Sequence, residues 1–317
     1  MQGDVVTGKV VEYWRTAKGK RKGVKIVSPL GRQSLHYTEI DKATRQDKSH
    51  VRESPPPETR IRPERKPSEA ALIGENQKTL LRRIFELGED FSPEAVAMIT
   101  DAAALMNELY GMRERDDGTL ALNHALRAAV RIMRFFEQRE DPDLIVAAML
   151  HDALEDHLDE LVGYAQGKPV STGLSERQKR EIAATYLRSR FGREVSMRVS
   201  ALSNPERTEE MTPQENNARY LEHVKKLILS PKNFYIKLSD LLDNSFTLKI
   251  KPKSREDMHK QRQKLRQRAE KYLPLYILFR ERLDDPDIAI PEHKKQIITS
   301  ILQTKQKFAE RILGIPA

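Results

Sequence analysis

Cysteine is absent from the 317 residues of the sequence. Its absence excludes disulfide bridges, thiolate zinc sites and cysteine nucleophiles, and it is typical of proteins in a reducing cytosol. The sequence also lacks an apolar run of about 18 residues, the length that crosses a bilayer. Its first residues, MQGDVVTGKV, lack the apolar core of a signal peptide. We therefore expect a cytoplasmic protein without a membrane partner.

Aromatic residues are scarce, at 6%, whereas 38% of the residues are hydrophobic and 32% are charged. A core can form, but much of the surface must be charged and solvated. The net charge of +9 is uneven, because residues 1–67 hold 16 basic and 8 acidic residues whereas the other 250 hold 40 and 39. Such asymmetry indicates an arm or small module that meets an anion such as nucleic acid, or else a solvated tail.

Residues 1–40 differ in pattern from everything that follows. Valine-rich stretches on either side of a turn-like segment at 17–20 predict a small, basic, β-rich module. Tyr13, Trp14 and Tyr37 lie among its basic residues, where they could stack on nucleic-acid bases or form the core of the module. Residues 41–67 are charged and rich in proline, which predicts a disordered linker.

From residue 68 to residue 317 the periodicity is helical nearly throughout. Ser92-Pro93, for example, combines a capping residue with a proline at the first helical position. Strand signals are nearly absent in this part of the chain. We therefore expect a mainly α fold, with an all-helical domain preceded by the basic module and the linker.

Residues 144–156, LIVAAMLHDALED, join seven apolar residues to a group of ionisable ones. The apolar run predicts a buried helix, and ionisable groups at the end of such a helix need partners or a metal. On a continuous helix, His151 stacks over Glu155 and Asp152 stacks over Asp156. We expect a loop at 163–175 after this helix.

Groups elsewhere in the chain could complete a site with these residues. His124 lies on an apolar helix, and Asp240 lies among leucines on another, where an acid needs a cation or a hydrogen-bond donor. Asn244 follows Asp240 by one turn, whereas we expect Asp243 to point elsewhere, toward solvent. Arg115, in the loop before His124, is a candidate clamp for an anion.

Two imidazoles and two carboxylates form a site that can hold Mn²⁺, Fe²⁺ or Zn²⁺. A metal in such a shell lowers the pKa of bound water and stabilises charge on a phosphoryl oxygen. A carboxylate one turn away can position the water or handle a proton. The competing interpretation treats the two histidines as core residues and the acids as a polar helix face.

A histidine on one helix, a buried His-Asp pair and a downstream aspartate resemble the pattern of the HD phosphohydrolase superfamily. The acid pair Glu155-Asp156 and the segment 237–244, KLSDLLDN, further resemble the hydrolase domain of RelA/SpoT-type alarmone enzymes. The resemblance covers about residues 105–283. It implies an all-helical HD bundle that removes the 3′-pyrophosphate from guanosine polyphosphates such as ppGpp and pppGpp.

The resemblance also implies a role for each site residue. The ligands of Mn²⁺ would be His124, His151, Asp152 and Asp240. The acids that orient or deprotonate the attacking water would be Glu155 and Asp156. The residues that contact the substrate would be Arg115 and Asn244.

The sequence departs from this family at some positions. Asp116 stands where a lysine is usual after the loop arginine, and Asn204 replaces a lysine of a later motif. Fewer residues follow residue 283 than synthetase and regulatory domains need, so we expect a stand-alone hydrolase. Two alternatives stay open. One is another HD-type nucleotide phosphohydrolase or phosphodiesterase, and the other is a non-catalytic nucleotide-sensing or nucleic-acid-binding protein.

Overall fold

The computed structural model describes residues 72, 74–111, 113–115, 118–168, 173–204, 211–246 and 255–315, and the backbone of four strands near the N-terminus. Contacts between Cα atoms divide the chain into two units, Met1–Lys66 and Pro67–Ala317. The linker predicted at 41–67 and the loop residue Asp116 lie outside the described residues.

The first unit contains a four-stranded antiparallel sheet in the order β1-β2-β3-β4. Val10 on β2 pairs with Val27 on β3, and Ile26 on β3 pairs with Gln33 on β4. The strands therefore follow one another as a meander of hairpins. Their bounds are Asp4–Val6 for β1, Lys9–Arg15 for β2, Lys22–Ser28 for β3 and Gly31–His36 for β4. The predicted aromatics Tyr13 and Trp14 belong to β2, whereas Tyr37 lies outside the described residues.

The second unit is helical, so the prediction of a mainly α-helical protein is confirmed. The helices named here are α1 Gln77–Leu87, α2 Pro93–Tyr110, α3 Ala121–Arg134, α4 Pro142–Met149, α5 Ala153–Asp156, α6 Leu158–Gln166, α7 Glu176–Leu202, α8 Pro213–Leu227, α9 Pro231–Phe246, α10 Arg255–Leu283 and α11 Glu292–Leu313. Among the described residues, no helix is both long enough and apolar enough to cross a membrane.

Side chains that hydrogen-bond to free backbone amides determine where several helices begin. Ser92 Oγ accepts from the amide of Ala95 at the start of α2 (3.2 Å), as the sequence predicts. Asp141 does the same for Leu144 at the start of α4 (3.0 Å). These local hydrogen bonds therefore mark where α2 and α4 begin.

The core of the second unit lies around α3, α4 and α9. Every residue from 122 to 133 on α3 is buried, because this helix is covered by α1, α4 and α9. The apolar run of α4 is buried as well. Polar residues on these helices are therefore shielded from water, and each must find its partner inside the domain.

Two details of the predicted helices are wrong. Helix α4 ends at Met149, and His151 and Asp152 lie in a turn before the single-turn helix α5, not on one continuous helix. The Leu150 amide closes the last turn of α4 on Val146, and its dihedral angles (φ −101°, ψ 8°) depart from the α-helix. Residues 163–166, predicted as loop, belong to α6, which ends at Gly167 in the left-handed region (φ 63°).

Candidate metal centre

Two histidine rings face each other between α3 and the turn after α4. The ring centroids of His124 and His151 lie 5.1 Å apart, and both side chains are buried. Nδ1 of His124 lies 2.7 Å from a carboxylate oxygen of Asp243, and Nδ1 of His151 lies 2.8 Å from the carbonyl oxygen of Ala148. In each ring the Nδ1 hydrogen is donated to that acceptor, which leaves Nε2 with a lone pair for a metal. Among the described residues, neither Nε2 has a hydrogen-bond partner.

Two carboxylates approach these ring nitrogens. Oδ1 of Asp240 lies 3.3 Å from Nε2 of His124 and 3.8 Å from Nε2 of His151. Oδ2 of Asp152 lies 3.5 Å and 3.1 Å from the same two atoms. Ligand atoms about 2.1 Å from a common ion lie about 3.0–3.4 Å apart at octahedral or tetrahedral angles. Two of the four distances lie in this range and the other two exceed it by at most 0.4 Å, so the donor set suits a divalent cation. The ligand atoms of His124, His151 and Asp240 all lie within 4.8 Å of one another.

The electrostatics of the cluster also favour a cation. Burial lowers the pKa of both imidazoles, but the neighbouring carboxylates outweigh burial and raise the pKa of His124 and, more strongly, that of His151. Burial raises the pKa of Asp152 and Asp240, but the charge of His151 beside Asp152 and that of Lys237 beside Asp240 outweigh burial and hold the pKa of both carboxyls well below the ordinary range. The two ionised carboxylates thus favour a positive charge between them, which protons on the imidazole rings supply in the absence of a metal. A bound metal ion can supply this charge in place of those protons.

Asp240 is oriented by its neighbours on α9. Lys237 Nζ donates to Oδ2 (3.0 Å), and Asn244 Nδ2 donates to Oδ1 (2.5 Å). Arg115 Nη2 in turn donates to Oδ1 of Asn244 (2.5 Å). The two residues predicted to contact substrate therefore touch each other, and through Asn244 they touch a predicted metal ligand. Lys237, a buried cation, has no role in the sequence-based prediction.

Asp243 corrects the sequence-based expectation, because it is fully buried and does not face solvent. Its carboxylate accepts from Nδ1 of His124, from Nε and Nη2 of Arg127 (2.7 and 2.8 Å) and from Nη2 of Arg131 (3.2 Å). Burial raises the pKa of Asp243, but the Arg127 and His124 hydrogen bonds outweigh it and hold the pKa well below its ordinary value. Asp243 therefore anchors the ring of His124 to two buried guanidinium groups.

The sequence offered a signal for this network. Arg127 and Arg131 follow His124 by one and two turns on a helix that is buried on every side, and both arginines are fully buried. Buried guanidinium groups require a carboxylate. Asp243, placed between buried leucines on α9, is an acid that could meet them.

The two predicted catalytic acids have different surroundings. Glu155 is half-buried, and its two oxygens accept from the amide nitrogen and the side-chain Nδ2 of Asn204 (2.7 Å each). Asp156 is exposed. Desolvation and the charge of Asp152 raise the pKa of both acids. The charge of Asp152 thus affects the pKa of both carboxyls, whereas the hydrogen bonds from Asn204 hold only Glu155 in place.

The comparison with known families assigns most of the helical part of the chain. The sequence matches the family described as "HD domain" over residues 102–283, which is more than half of the chain. The matched range extends from α2 to the end of α10, so it includes all residues of the candidate metal centre. The search among curated proteins found no match.

Proposed function

The chain belongs to the HD domain family, and from this premise we propose that it hydrolyses the 3′-pyrophosphate of guanosine alarmones such as ppGpp and pppGpp. HD domains indicate a metal-dependent phosphohydrolase with a nucleotide-like substrate. The observation that carries the proposal is the pair of buried Nε2 atoms, on His124 and His151, facing the carboxylates of Asp240 and Asp152. The alarmone substrate is supported by the sequence resemblance.

We propose Mn²⁺ as the cofactor, held by His124, His151, Asp152 and Asp240. When bound, a divalent ion in this shell lowers the pKa of a water ligand and stabilises charge on a phosphoryl oxygen. The chain itself supplies the orientation of the ligands. Asp243 and the Ala148 carbonyl hold the two rings, so that each Nε2 faces the carboxylates.

Glu155 and Asp156 are the proposed acids that act on the attacking water. Asp156 suits the proton transfer, because it is exposed and its raised pKa brings it nearer to neutral pH. Glu155, clamped by Asn204, suits a positioning role in which its carboxylate accepts a hydrogen bond from the water or substrate. Arg115 and Asn244, joined to each other beside Asp240, are the proposed contacts for a phosphate of the substrate.

Phosphate release tests this function. Purified protein with Mn²⁺ is expected to hydrolyse ppGpp faster than GTP, deoxynucleoside triphosphates or cyclic nucleotides. Asp152→Ala is expected to abolish turnover while the far-ultraviolet circular dichroism stays unchanged, because a proposed metal ligand is lost. Asp159→Ala, an exposed acid on α6, is the matched control and should keep full activity. Full activity of Asp152→Ala would contradict the ligand assignment.

The same assay separates the alternative functions. Faster hydrolysis of a different nucleotide or of a cyclic nucleotide identifies another HD-type phosphohydrolase or phosphodiesterase. This alternative has a specific observation in its favour: Asn204, which replaces a lysine of the alarmone enzymes, is bound to Glu155. Absence of hydrolysis, together with absence of bound metal in the purified protein, favours the non-catalytic alternative, a nucleotide-sensing or nucleic-acid-binding protein.

We further propose that residues 1–67, with the basic β-sheet module, bind nucleic acid. The excess of 16 basic over 8 acidic residues supports this proposal. Retention on immobilised RNA is expected to fall steeply as salt rises, because counterions are released on binding. Deletion of residues 1–67 should abolish retention, and equal retention of the truncated protein would contradict the proposal.

A further inference from the structure

The chain between α2 and α3 contains a short extended segment with two arginines. The Arg115 amide donates to the carbonyl oxygen of Thr119 (2.8 Å), and the Ala121 amide donates to that of Arg113 (2.9 Å). Glu114 forms an antiparallel bridge between these two hydrogen bonds. Side chains alternate along an extended chain, so those of Arg113 and Arg115 leave one side of the segment and that of Glu114 leaves the other.

The side of the two arginines is the side of the metal centre. Arg115 Nη2 donates to Oδ1 of Asn244, which itself donates to Asp240. The guanidinium of Arg115 is thus already bound to the protein. That of Arg113 is exposed, and it has no hydrogen-bond or ion-pair partner among the described residues. Arg113 can therefore bind an anion without giving up an existing bond.

Further contacts locate Arg113 near the proposed catalytic acids. Its amide donates to the carbonyl oxygen of Tyr110 (2.9 Å), the last residue of α2. The Tyr110 ring packs edge-on against the ring of His157, with centroids 4.4 Å apart, and His157 directly follows Asp156. Burial raises the pKa of Asp156, and the positive charge of Arg113 opposes this shift. Arg113 therefore lies near the acid that we assign to proton transfer.

We propose that Arg113, together with Arg115, binds the phosphate group that reacts at the metal centre. The proposal rests on the proposed function, and it adds a substrate-binding residue that the sequence pattern did not indicate. A guanidinium can donate two parallel hydrogen bonds to one phosphate. The carboxylate of Asp156 repels an approaching phosphate, and the charge of Arg113 offsets this repulsion.

Binding of inorganic pyrophosphate to the full chain in EDTA tests this contact without turnover. In isothermal titration calorimetry, Arg113→Gln is expected to lose about tenfold or more in affinity, because a charged hydrogen bond is lost. Arg113→Lys keeps the charge and should lose less. Arg188→Gln, which removes an exposed arginine of α7, is the charge-matched control and should bind as the wild type does. The midpoint of urea unfolding should stay unchanged in all three variants.

Equal affinity of the wild type and Arg113→Gln for pyrophosphate, including no binding by either, overturns the proposal. An equal loss in Arg188→Gln also overturns it, because the loss would then reflect the overall charge of the protein.

Hydrolysis of ppGpp with Mn²⁺, measured on the same preparations, separates this proposal from the proposed function. Arg113→Gln is expected to lower kcat/KM about tenfold or more. If the wild type hydrolyses ppGpp but Arg113→Gln keeps its kcat/KM, the role of Arg113 is refuted and the proposed function stands. If the pyrophosphate affinity falls as expected but the wild type does not hydrolyse ppGpp, the proposed function fails and Arg113 is an anion-binding residue for another substrate.

Discussion

Replacement of Asp243 by asparagine tests the link between the core and the metal centre. The variant keeps the size of the side chain but removes the negative charge that faces Arg127, Arg131 and His124. Removal of one partner from a buried ion pair costs about 3–5 kcal/mol, because the other charge stays buried without compensation. We expect a loss of this size in the free energy of unfolding of the metal-free protein, measured by urea denaturation.

The metal affinity should fall in the same variant. The carboxylate of Asp243 fixes the ring of His124, and loss of such an outer partner lowers metal affinity about 10–100-fold. This corresponds to about 1.4–2.7 kcal/mol of lost metal-induced stabilisation at saturating metal. Competition with a chelating dye measures the affinity directly.

The effect of the substitution depends on pH. The pKa of Asp243 is held well below the ordinary aspartate value, which is about 3.9 in an unfolded chain. Its stabilisation is therefore complete above about pH 5 and is lost as the pH falls through the folded-state pKa. The difference between wild type and Asp243→Asn should shrink in acid as Asp243 becomes protonated.

A surface ion pair provides the control. Asp159 Oδ1 lies 2.7 Å from Lys179 Nζ, and its side chain is 62% exposed. Asp159→Asn is expected to cost less than about 1 kcal/mol, because solvent screens such pairs. If Asp243→Asn costs no more than Asp159→Asn and leaves the metal affinity unchanged, the reasoning about the buried network is refuted.

Three further predictions concern the same centre. Chelation of metal should lower the melting temperature, and re-addition should restore it. A metal concentration 100 times the Kd should stabilise the folded protein by about 2.7 kcal/mol. An unchanged melting temperature argues against a metal site. Asn204→Ala should cost about 1–3 kcal/mol in urea unfolding and raise the pKa of Glu155 further in an NMR titration, because the hydrogen bond from the Asn204 side chain to that carboxylate is lost while the backbone amide bond stays. An unchanged pKa contradicts the clamp. Lys237→Met should destabilise the metal-free protein more than the metal-loaded one, because a bound ion also neutralises Asp240; equal losses in both forms contradict this.

Much of the helical fold follows from local patterns in the sequence. Caps such as Ser92 and the long apolar periodicity predict helices without tertiary information, and the mainly α class is confirmed. The break after Met149 was not predicted, because residues 144–156 contain neither glycine nor proline, the residues that most often end a helix. The turn instead places His151 and Asp152 where both can face His124.

The sequence predicted which residues lie at the candidate site, but it did not predict the residues that hold them in place. The residue types and spacings indicated His124, His151, Asp152 and Asp240, and the structure places these four close together. The contact between Asn204 and Glu155 joins residues 49 positions apart, so no local pattern reveals it. Asp243 shows a different limit. Its partner arginines were visible on α3, but pairing them with α9 requires knowledge of which helices touch.

The Asp243 network also affects any attempt to transplant this centre. A graft of the four proposed ligands onto another helical bundle would leave His124 without its hydrogen-bond acceptor. Adding Asp243 alone would bury a carboxylate without its two guanidinium partners, so Arg127 and Arg131 would have to be included as well. The smallest portable unit is therefore α3 together with α9 and the turn after α4. Transfer of the centre to another protein therefore requires transfer of part of the core that surrounds it.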